Sequence, residues 1–120
     1  AGQALKSEVE ALQLETNGGI YRSEHSPQAQ AWIKSLAKML ERGLILLIDY
    51  GFSQSEYYHP DRSSGTLMCH YQHRSHDDPF FLPGQQDITA HVDFSAIARS
   101  AQQAGLELRG YVSQGGFLLS

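Results

Sequence analysis

The chain has 120 residues, of which 41% are hydrophobic and 18% charged, and its formal net charge is −4 at pH 7. This length fits one domain or a piece of one, and the composition is that of an ordinary globular protein. The acidic balance argues against binding nucleic acid mainly through phosphates, and the single cysteine excludes an intrachain disulfide. No run approaches the ~18 apolar residues of a membrane span, and no targeting segment is visible. We therefore expect no nucleic-acid or membrane partner and a cytoplasmic location.

Residues 1–25 predict a β-hairpin region. Asn17-Gly18 indicates a tight turn, because a type I′ turn needs positive φ at both central residues. The apolar residues before this turn fit both helical and strand spacing. We predict strands at Glu10–Thr16 and Ile20–Glu24.

Residues 26–51 predict a helix followed by a strand. Ser26-Pro27 combines a capping hydroxyl with proline at the first helical position, and an apolar stripe of 3.6-residue period follows it. Gly43 is the residue expected just after the helix end. The continuous apolar run Leu44–Ile48 is typical of a central parallel strand that helices cover on both faces.

Residues 52–86 predict a long connecting loop with a short strand at Thr66–Tyr71, and residues 87–120 predict another helix and strand. Asp93 caps this helix, Gly105 ends it, and Leu106–Ser113 forms the strand. Alternating helices and strands indicate an open α/β sheet with right-handed crossovers. Two such strands do not complete a doubly wound sheet, so residues 1–120 are interpreted as a single partial domain.

Asp49, Tyr50 and Gly51 stand at the carboxyl end of the predicted central strand, where open α/β sheets bind their ligands. An aspartate there can hold a ribose, a metal or a cationic substrate. It can equally hydrogen-bond the loop backbone, with Gly51 supplying a tight turn.

Asp87, Thr89, His91 and Asp93 follow one another at odd-numbered spacing just before the second helix. In an extended segment all four side chains would point the same way. Asp93 also fits a helix cap. Asp87 and His91 have weaker structural explanations and form a candidate acid–base pair, provided that they reach a substrate proton.

His70, His73 and His76 recur every third residue and precede Asp77-Asp78, and these side-chain types are common zinc and iron ligands. Solvated loop histidines are the alternative, since a loop does not fix their spacing. Ser113–Phe117 lacks the glycine patterns of a phosphate loop and is interpreted as a turn.

Several of these segments together resemble the MidA family of S-adenosylmethionine-dependent methyltransferases, over roughly residues 20 to 120. They are the run from Gly43 to Gly51, Gly65-Thr66-Leu67, Tyr71, His73, Pro83-Gly84, the run from Asp87 to Phe94, Ser113-Gln114 and Phe117-Leu118. The family occurs in bacteria and mitochondria. Its mitochondrial members assist assembly of respiratory complex I by methylating an arginine of one subunit.

The resemblance implies an α/β fold that is the C-terminal half of a Rossmann-like class I methyltransferase, here with an N-terminal hairpin and a long loop insertion. It also implies S-adenosylmethionine as cofactor and a protein substrate, with a complex I subunit as candidate. The family's glycine-rich cofactor loop and first acidic ribose contact lie upstream, so no cofactor-binding residue is assigned here.

Under this resemblance the carboxylates of Asp49, Asp87 and Asp93 are candidates to grip a guanidinium with paired hydrogen bonds. His91 or His73 would accept the proton. Asp87, His91 and Asp49 are the catalytic candidates, and the substrate-binding candidates are Tyr50, Gly51, His73, Thr89 and Asp93. The rival interpretations are a non-catalytic protein-interaction module and a metal-dependent hydrolase that uses the histidine-rich loop.

Overall fold

The structure is a computed structural model that describes residues 2–120, which form five helices and five short strands. In chain order these are α1 (Gln3–Ala11), α2 (Pro27–Met39), β1 (Gly51–Phe52), α3 (Gln54–Tyr57), β2 (Met68–Tyr71), β3 (Arg74–His76), β4 (Asp87–Thr89), β5 (Val92–Asp93), α4 (Phe94–Gln103) and α5 (Gln114–Leu119). Strands β1 and β5 pair in parallel, and the other three form an antiparallel sheet in the order β3-β2-β4. The predicted α/β class with a parallel pairing is confirmed.

Both predicted helix starts are confirmed by their capping side chains. The hydroxyl of Ser26 accepts a hydrogen bond from the backbone N–H of Ala29 at 3.3 Å. The carboxylate of Asp93 accepts one from Ala96 at 3.2 Å. Gly105 follows the end of α4 with a φ of +91°, a backbone conformation that glycine adopts without steric cost.

The core forms where α2 packs against α4. Ile33 of α2 and Ile97 of α4 are 2% and 7% exposed. Cys69 on β2 is fully buried, and this burial, together with nearby Asp78 and Asp77, raises the pKa of its thiol. Cys69 is therefore a protonated core residue rather than a nucleophile.

The apolar run Leu44–Ile48 does not form the predicted central strand. The segment has no partner strand among the described residues, and its side chains alternate between half-buried and exposed. Leu44, Leu46 and Ile48 are 74%, 65% and 74% exposed, so one face only is covered. The paired strand begins later, at Gly51, because no neighbouring strand among the described residues hydrogen-bonds to the run.

The end of α2 and the C-terminal residues also differ from the prediction. Helix α2 ends at Met39, ahead of Gly43, and residues 106–113, predicted as a strand, have no partner strand among the described residues. Residues 114–119 form the short helix α5 instead of continuing a turn, since the hydroxyl of Ser113 caps it by accepting from Gly116 N–H at 3.1 Å.

The predicted N-terminal hairpin is wrong. Residues 3–11 form helix α1, and residues 12–26 contain neither helix nor strand. Gly18 does adopt a positive φ of +84°, but the chain after it bonds elsewhere. The N–H of Arg22 donates to the carbonyl of Ser63 at 2.7 Å, and Tyr21 donates its hydroxyl to the carbonyl of His59 at 3.0 Å. This segment therefore lies against residues 59–63 rather than folding back on itself.

The predicted long loop of residues 52–86 contains more structure than expected. It holds α3 and the β2–β3 hairpin, and β2 confirms the predicted short strand. Gln72 and His73 form the hairpin turn with φ values of +46° and +62°, the positive pair that a type I′ turn requires. No described helix is both long and apolar enough to cross a membrane.

The chain is more open than a complete domain of its size. Its accessible surface is 9428 Å², whereas a compact monomer of 13.3 kDa exposes about 6,500 Å². The Cα radius of gyration is 16.3 Å, against about 14 Å for a compact domain of this length. A large part of the surface that a complete fold buries is exposed here.

Gly51 is required by the close approach of β1 to β5. A Cβ atom at this position would meet the carbonyl oxygen of Val92 and the ring of Phe94. We expect Gly51→Ala to lower the free energy of unfolding by about 2 kcal/mol through overpacking, measured by urea denaturation. Gly19→Ala is the control, since nothing lies within 4 Å of a Cβ there. Equal stability of the two variants would contradict the requirement for glycine at position 51.

Candidate functional site

The carboxylate of Glu24 is the centre of a polar cluster that joins three segments. Its oxygens accept hydrogen bonds from the backbone N–H groups of Thr66 and Leu67 at 2.9 and 2.8 Å. They also accept from the Thr66 hydroxyl at 3.1 Å and the Tyr57 hydroxyl at 3.2 Å. Hydrogen bonds to an ionised acceptor are about twice as strong as neutral ones, so this carboxylate holds α3 and the 65–67 loop together.

Thr66 connects this cluster to the candidate residue His91. The Thr66 hydroxyl donates to Glu24 and accepts from the backbone N–H of His91 at 2.9 Å. Thr66 is 8% exposed, so water does not replace either partner easily. The backbone of His91 is thus fixed by a threonine that is itself fixed by a carboxylate.

The imidazole of His91 lies in an aromatic stack. Its ring stacks on Phe52 with centroids 5.0 Å apart and planes 28° from parallel. The Arg62 guanidinium carbon lies 4.3 Å from the centroid of the same phenyl ring. A cation over an aromatic face is attracted by the ring quadrupole, so Arg62 helps to fix the surface on which His91 rests.

Two buried tyrosines close the cluster on the side of α3. The hydroxyl of Tyr58 donates to the carbonyl of Glu24 at 2.8 Å, and its ring lies 4.8 Å from that of Tyr57. Burial raises the pKa of Tyr57 to about 12, with the charge of Glu24 adding to the effect. Burial also raises the pKa of Tyr58. Both side chains therefore stay neutral donors across the physiological range.

The parallel strand pair brings four of the predicted site residues together. Gly51 pairs with Val92, and the N–H of Val92 donates to the carbonyl of Tyr50 at 2.9 Å. His91 and Asp93 flank Val92 in sequence, and Asp93 caps α4 with one carboxylate oxygen. Tyr50, Gly51, His91 and Asp93 thus surround one short stretch of backbone at the start of α4.

The other predicted residues lie elsewhere. Asp87 and Thr89 belong to β4, where the hydroxyl of Thr89 lies 3.3 Å from Nε2 of His70. His73 lies in the β2–β3 turn of the same sheet. Asp49 is exposed, and its carboxylate accepts the N–H of its neighbour Tyr50 at 2.7 Å. The run from Asp87 to Asp93 is therefore divided between two sheets, and the expectation of one continuous strand face is wrong.

The histidines of the 70–76 segment do not gather around a metal position. His70 lies on β2, His73 in the turn and His76 on β3. Among residues 2–120, no three histidine, cysteine, aspartate or glutamate side chains lie in a group that could hold a metal ion.

Four members of the site were not predicted from the sequence, namely Glu24, Phe52, Tyr57 and Arg62. Gly65-Thr66-Leu67 was recognised only through the family resemblance. Glu24 falls in a segment without clear periodicity, and its partners lie more than thirty residues away. The close spacing of Tyr57, Tyr58 and His59 in a polar loop was the one local feature that could have directed attention to α3.

The fold and the cluster define an α/β protein with polar groups gathered beside a parallel strand pair. Residues 2–112 match a protein family described as "Putative S-adenosyl-L-methionine-dependent methyltransferase". This match covers most of the sequence, and the chain belongs to that family. The family and its cofactor, S-adenosylmethionine, are those that the resemblance implied.

Similar proteins include mitochondrial arginine methyltransferases. The "Protein arginine methyltransferase NDUFAF7 homolog" of Drosophila melanogaster is 36% identical over 98 residues, which is 79% of this chain and 21% of that protein. The "Protein arginine methyltransferase NDUFAF7" of Rattus norvegicus is 36% identical over 102 residues, 81% of this chain and 21% of the relative. The chain thus spans about a fifth of the length of these curated relatives.

Two crystal structures of Burkholderia thailandensis proteins share the fold. One superposes with a TM-score of 0.91 at 48% identity and covers 99% of this chain and 31% of that one. The second, bound to S-adenosyl-homocysteine, gives 0.87 at 46% identity and covers 99% and 30%. These identities confirm the α/β methyltransferase fold for the whole described chain.

The raised pKa of Tyr57 predicts a loss of stability in alkali. The folded protein retains a proton up to about pH 12 that the unfolded chain releases near pH 10. The free energy of unfolding therefore falls as the pH rises from about 10 to 12 and is unaffected by this group below pH 10. Urea denaturation at a series of pH values measures the fall. Tyr57→Phe should reduce this fall in the free energy of unfolding. Tyr50→Phe should leave the fall unchanged, because Tyr50 is 81% exposed.

Proposed function

We propose that this chain is part of an S-adenosylmethionine-dependent protein arginine methyltransferase and forms the substrate-side wall of the methyl-transfer cleft. The observation that carries the proposal is the 36% identity to protein arginine methyltransferases over about four fifths of the chain. The remaining wall, with the glycine-rich cofactor loop, is placed outside these 120 residues.

The open shape of the chain supports this division of the fold. Its surface exceeds that of a compact monomer by roughly 3,000 Å². Three aliphatic side chains of the unpaired apolar run, at Leu44, Leu46 and Ile48, are more than half exposed. Leu108, Tyr111 and Val112 are more than half exposed on the second unpaired segment. These are the side chains that further strands of an α/β sheet would cover.

We propose that the cofactor cradle is not formed by the described residues alone. Such a cradle needs a strand, a glycine-rich turn and the N-terminus of a following helix. Strand β5 runs directly into α4, and the helix after β1 has only four residues. The cofactor supplies a methyl group on a sulfonium, and the side chains of this chain are left to hold the acceptor.

The acceptor proposed here is the guanidinium of an arginine in a protein substrate. Carboxylates grip a guanidinium with paired hydrogen bonds, and Asp49, Asp87 and Asp93 are assigned to that grip. A nitrogen that receives a methyl group must lose a proton, and His91 is assigned to accept it. His91 is preferred to His73 because its ring is half-buried on Phe52, whereas His73 lies on an exposed turn.

The identity of the substrate and the cellular compartment are the most specific parts of the proposed function. The similar proteins are named as protein arginine methyltransferases, which supports a protein substrate. A respiratory complex I subunit, implied by the family resemblance, is the first substrate to assay. The cytoplasmic location stays a prediction, and the relatives named above are mitochondrial.

Removing the proposed proton acceptor should abolish activity without unfolding the protein. We expect His91→Ala to lower kcat by about 100-fold or more, the usual contribution of a general base, in the protein encoded by the complete reading frame. Transfer of a radioactive methyl group to a protein substrate measures it. Asp87→Asn should raise KM for the substrate by weakening the grip on the guanidinium.

Two surface variants of the same types serve as controls, His59→Ala and Asp77→Asn, both at exposed positions. Their activity should match that of the unmodified protein, and circular dichroism should show that all four variants fold. Full activity of both His91→Ala and Asp87→Asn would refute the assigned roles.

The 120-residue chain alone should not bind the cofactor. We expect isothermal titration calorimetry with S-adenosylmethionine to give no heat of binding at millimolar ligand. The same titration of the protein from the complete reading frame is the positive control. One-to-one binding by the 120 residues would place the cofactor site within them and overturn this part of the proposal.

A further inference from the structure

The carboxylate of Glu24 accepts hydrogen bonds from four donor groups, although Glu24 lies in a segment without helix or strand. Two of these are the consecutive backbone N–H groups of Thr66 and Leu67. Backbone donors do not change with a side-chain substitution, so their geometry is built around an acceptor at this position.

The 65–67 loop is shaped to let the carboxylate approach closely. Gly65 has a φ of +74°, a conformation that glycine adopts without cost. A Cβ atom at Gly65 would lie 2.9 Å from the Glu24 carboxyl carbon and against its oxygens. The backbone therefore lies close over the carboxylate, and a Cβ atom at position 65 would displace it.

The Thr66 hydroxyl links this loop to His91, the candidate proton acceptor. The Thr66 hydroxyl can donate only one proton, and the Glu24 carboxylate at 3.1 Å is a nearer and stronger acceptor for it than the Tyr57 hydroxyl at 3.5 Å. This orientation leaves the hydroxyl oxygen free to accept from the His91 N–H at 2.9 Å. Since Thr66 is buried, the direction of its O–H bond is set by Glu24, and the position of the His91 backbone follows from it.

We propose that Glu24 is a positioning residue for His91, acting through the Thr66 hydroxyl to hold the imidazole on Phe52 beside the β1–β5 pair. The inference rests on the proposed function, in which His91 accepts the substrate proton. Glu24 touches no reacting atom. Its effect is on the placement of a group whose displacement by about 1 Å is enough to lower a rate by about 100-fold.

Glu24→Gln tests the proposal with little change of shape. The amide keeps one oxygen but presents an NH₂ group, a donor, to at least one of the N–H or O–H donors around it. We expect kcat to fall by about 10- to 100-fold with KM nearly unchanged, together with a shifted pH profile of kcat. Thr66→Val should lower kcat by a similar factor. Thr66→Ser keeps the hydroxyl and should retain most of the activity.

Tyr21→Phe is the matched control. It removes a side-chain hydrogen bond from the same segment, to the carbonyl of His59, and leaves the link from Glu24 through Thr66 to His91 intact. Its kcat should stay within about twofold of the unmodified protein. A double mutant of Glu24→Gln and Thr66→Val should be no slower than either single variant, because both break one pathway.

A second measurement separates this inference from the proposed function. In the protein encoded by the complete reading frame, Glu24→Gln should accelerate hydrogen exchange of the His91 amide about tenfold relative to Tyr21→Phe, as followed by NMR. If the unmodified protein transfers no methyl group but this acceleration occurs, the proposed function fails and the coupling stands. If the protein is active and Glu24→Gln keeps full kcat, the inference is overturned. Should Glu24→Gln not fold, Thr66→Val and Thr66→Ser decide the question by the same two measurements.

Discussion

The site depends on how one half-buried carboxylate is solvated by the protein. Removing a carboxylate from water is costly unless hydrogen-bond donors replace the lost water. Glu24 receives four such donors, and a hydrogen bond to a charged group contributes about 1.5–3 kcal/mol net. The donors come from α3 and from the loop before β2, so solvating Glu24 requires these segments to meet. The position of His91 and the order of the 65–67 loop both follow from that requirement.

The rest of the chain is organised by an incomplete apolar layer. Helices α2 and α4 bury Ile33 and Ile97 between them, and one side of the run from Leu44 to Ile48 is half-buried. The other side of that run is exposed, and only β1 and β5 form a parallel pair beside it.

Local features were predictable and distant ones were not. Ser26 and Asp93 act within three residues of themselves, so their capping roles follow from sequence. The run Leu44–Ile48 has the composition of a buried strand, but strand formation needs a partner that composition does not supply. The hairpin prediction failed because the turn at Gly18 is followed by bonds to residues 59–63. Glu24 was missed for the same reason, since its partners are some forty residues away and no periodicity marks them.

The length of these connections also has a consequence for how the chain folds. Glu24 reaches Thr66 across 42 residues, and β1 meets β5 across a similar span. Closing such loops costs entropy before any contact compensates for it, so contacts of this kind form late. The helices can form early from local sequence. The polar cluster around Glu24 forms only after His91 has been synthesised and has left the ribosome. At about 5–20 residues per second, synthesis takes several seconds to pass from β1 to β5, and during that time β1 has no partner and is open to capture by another unpaired strand.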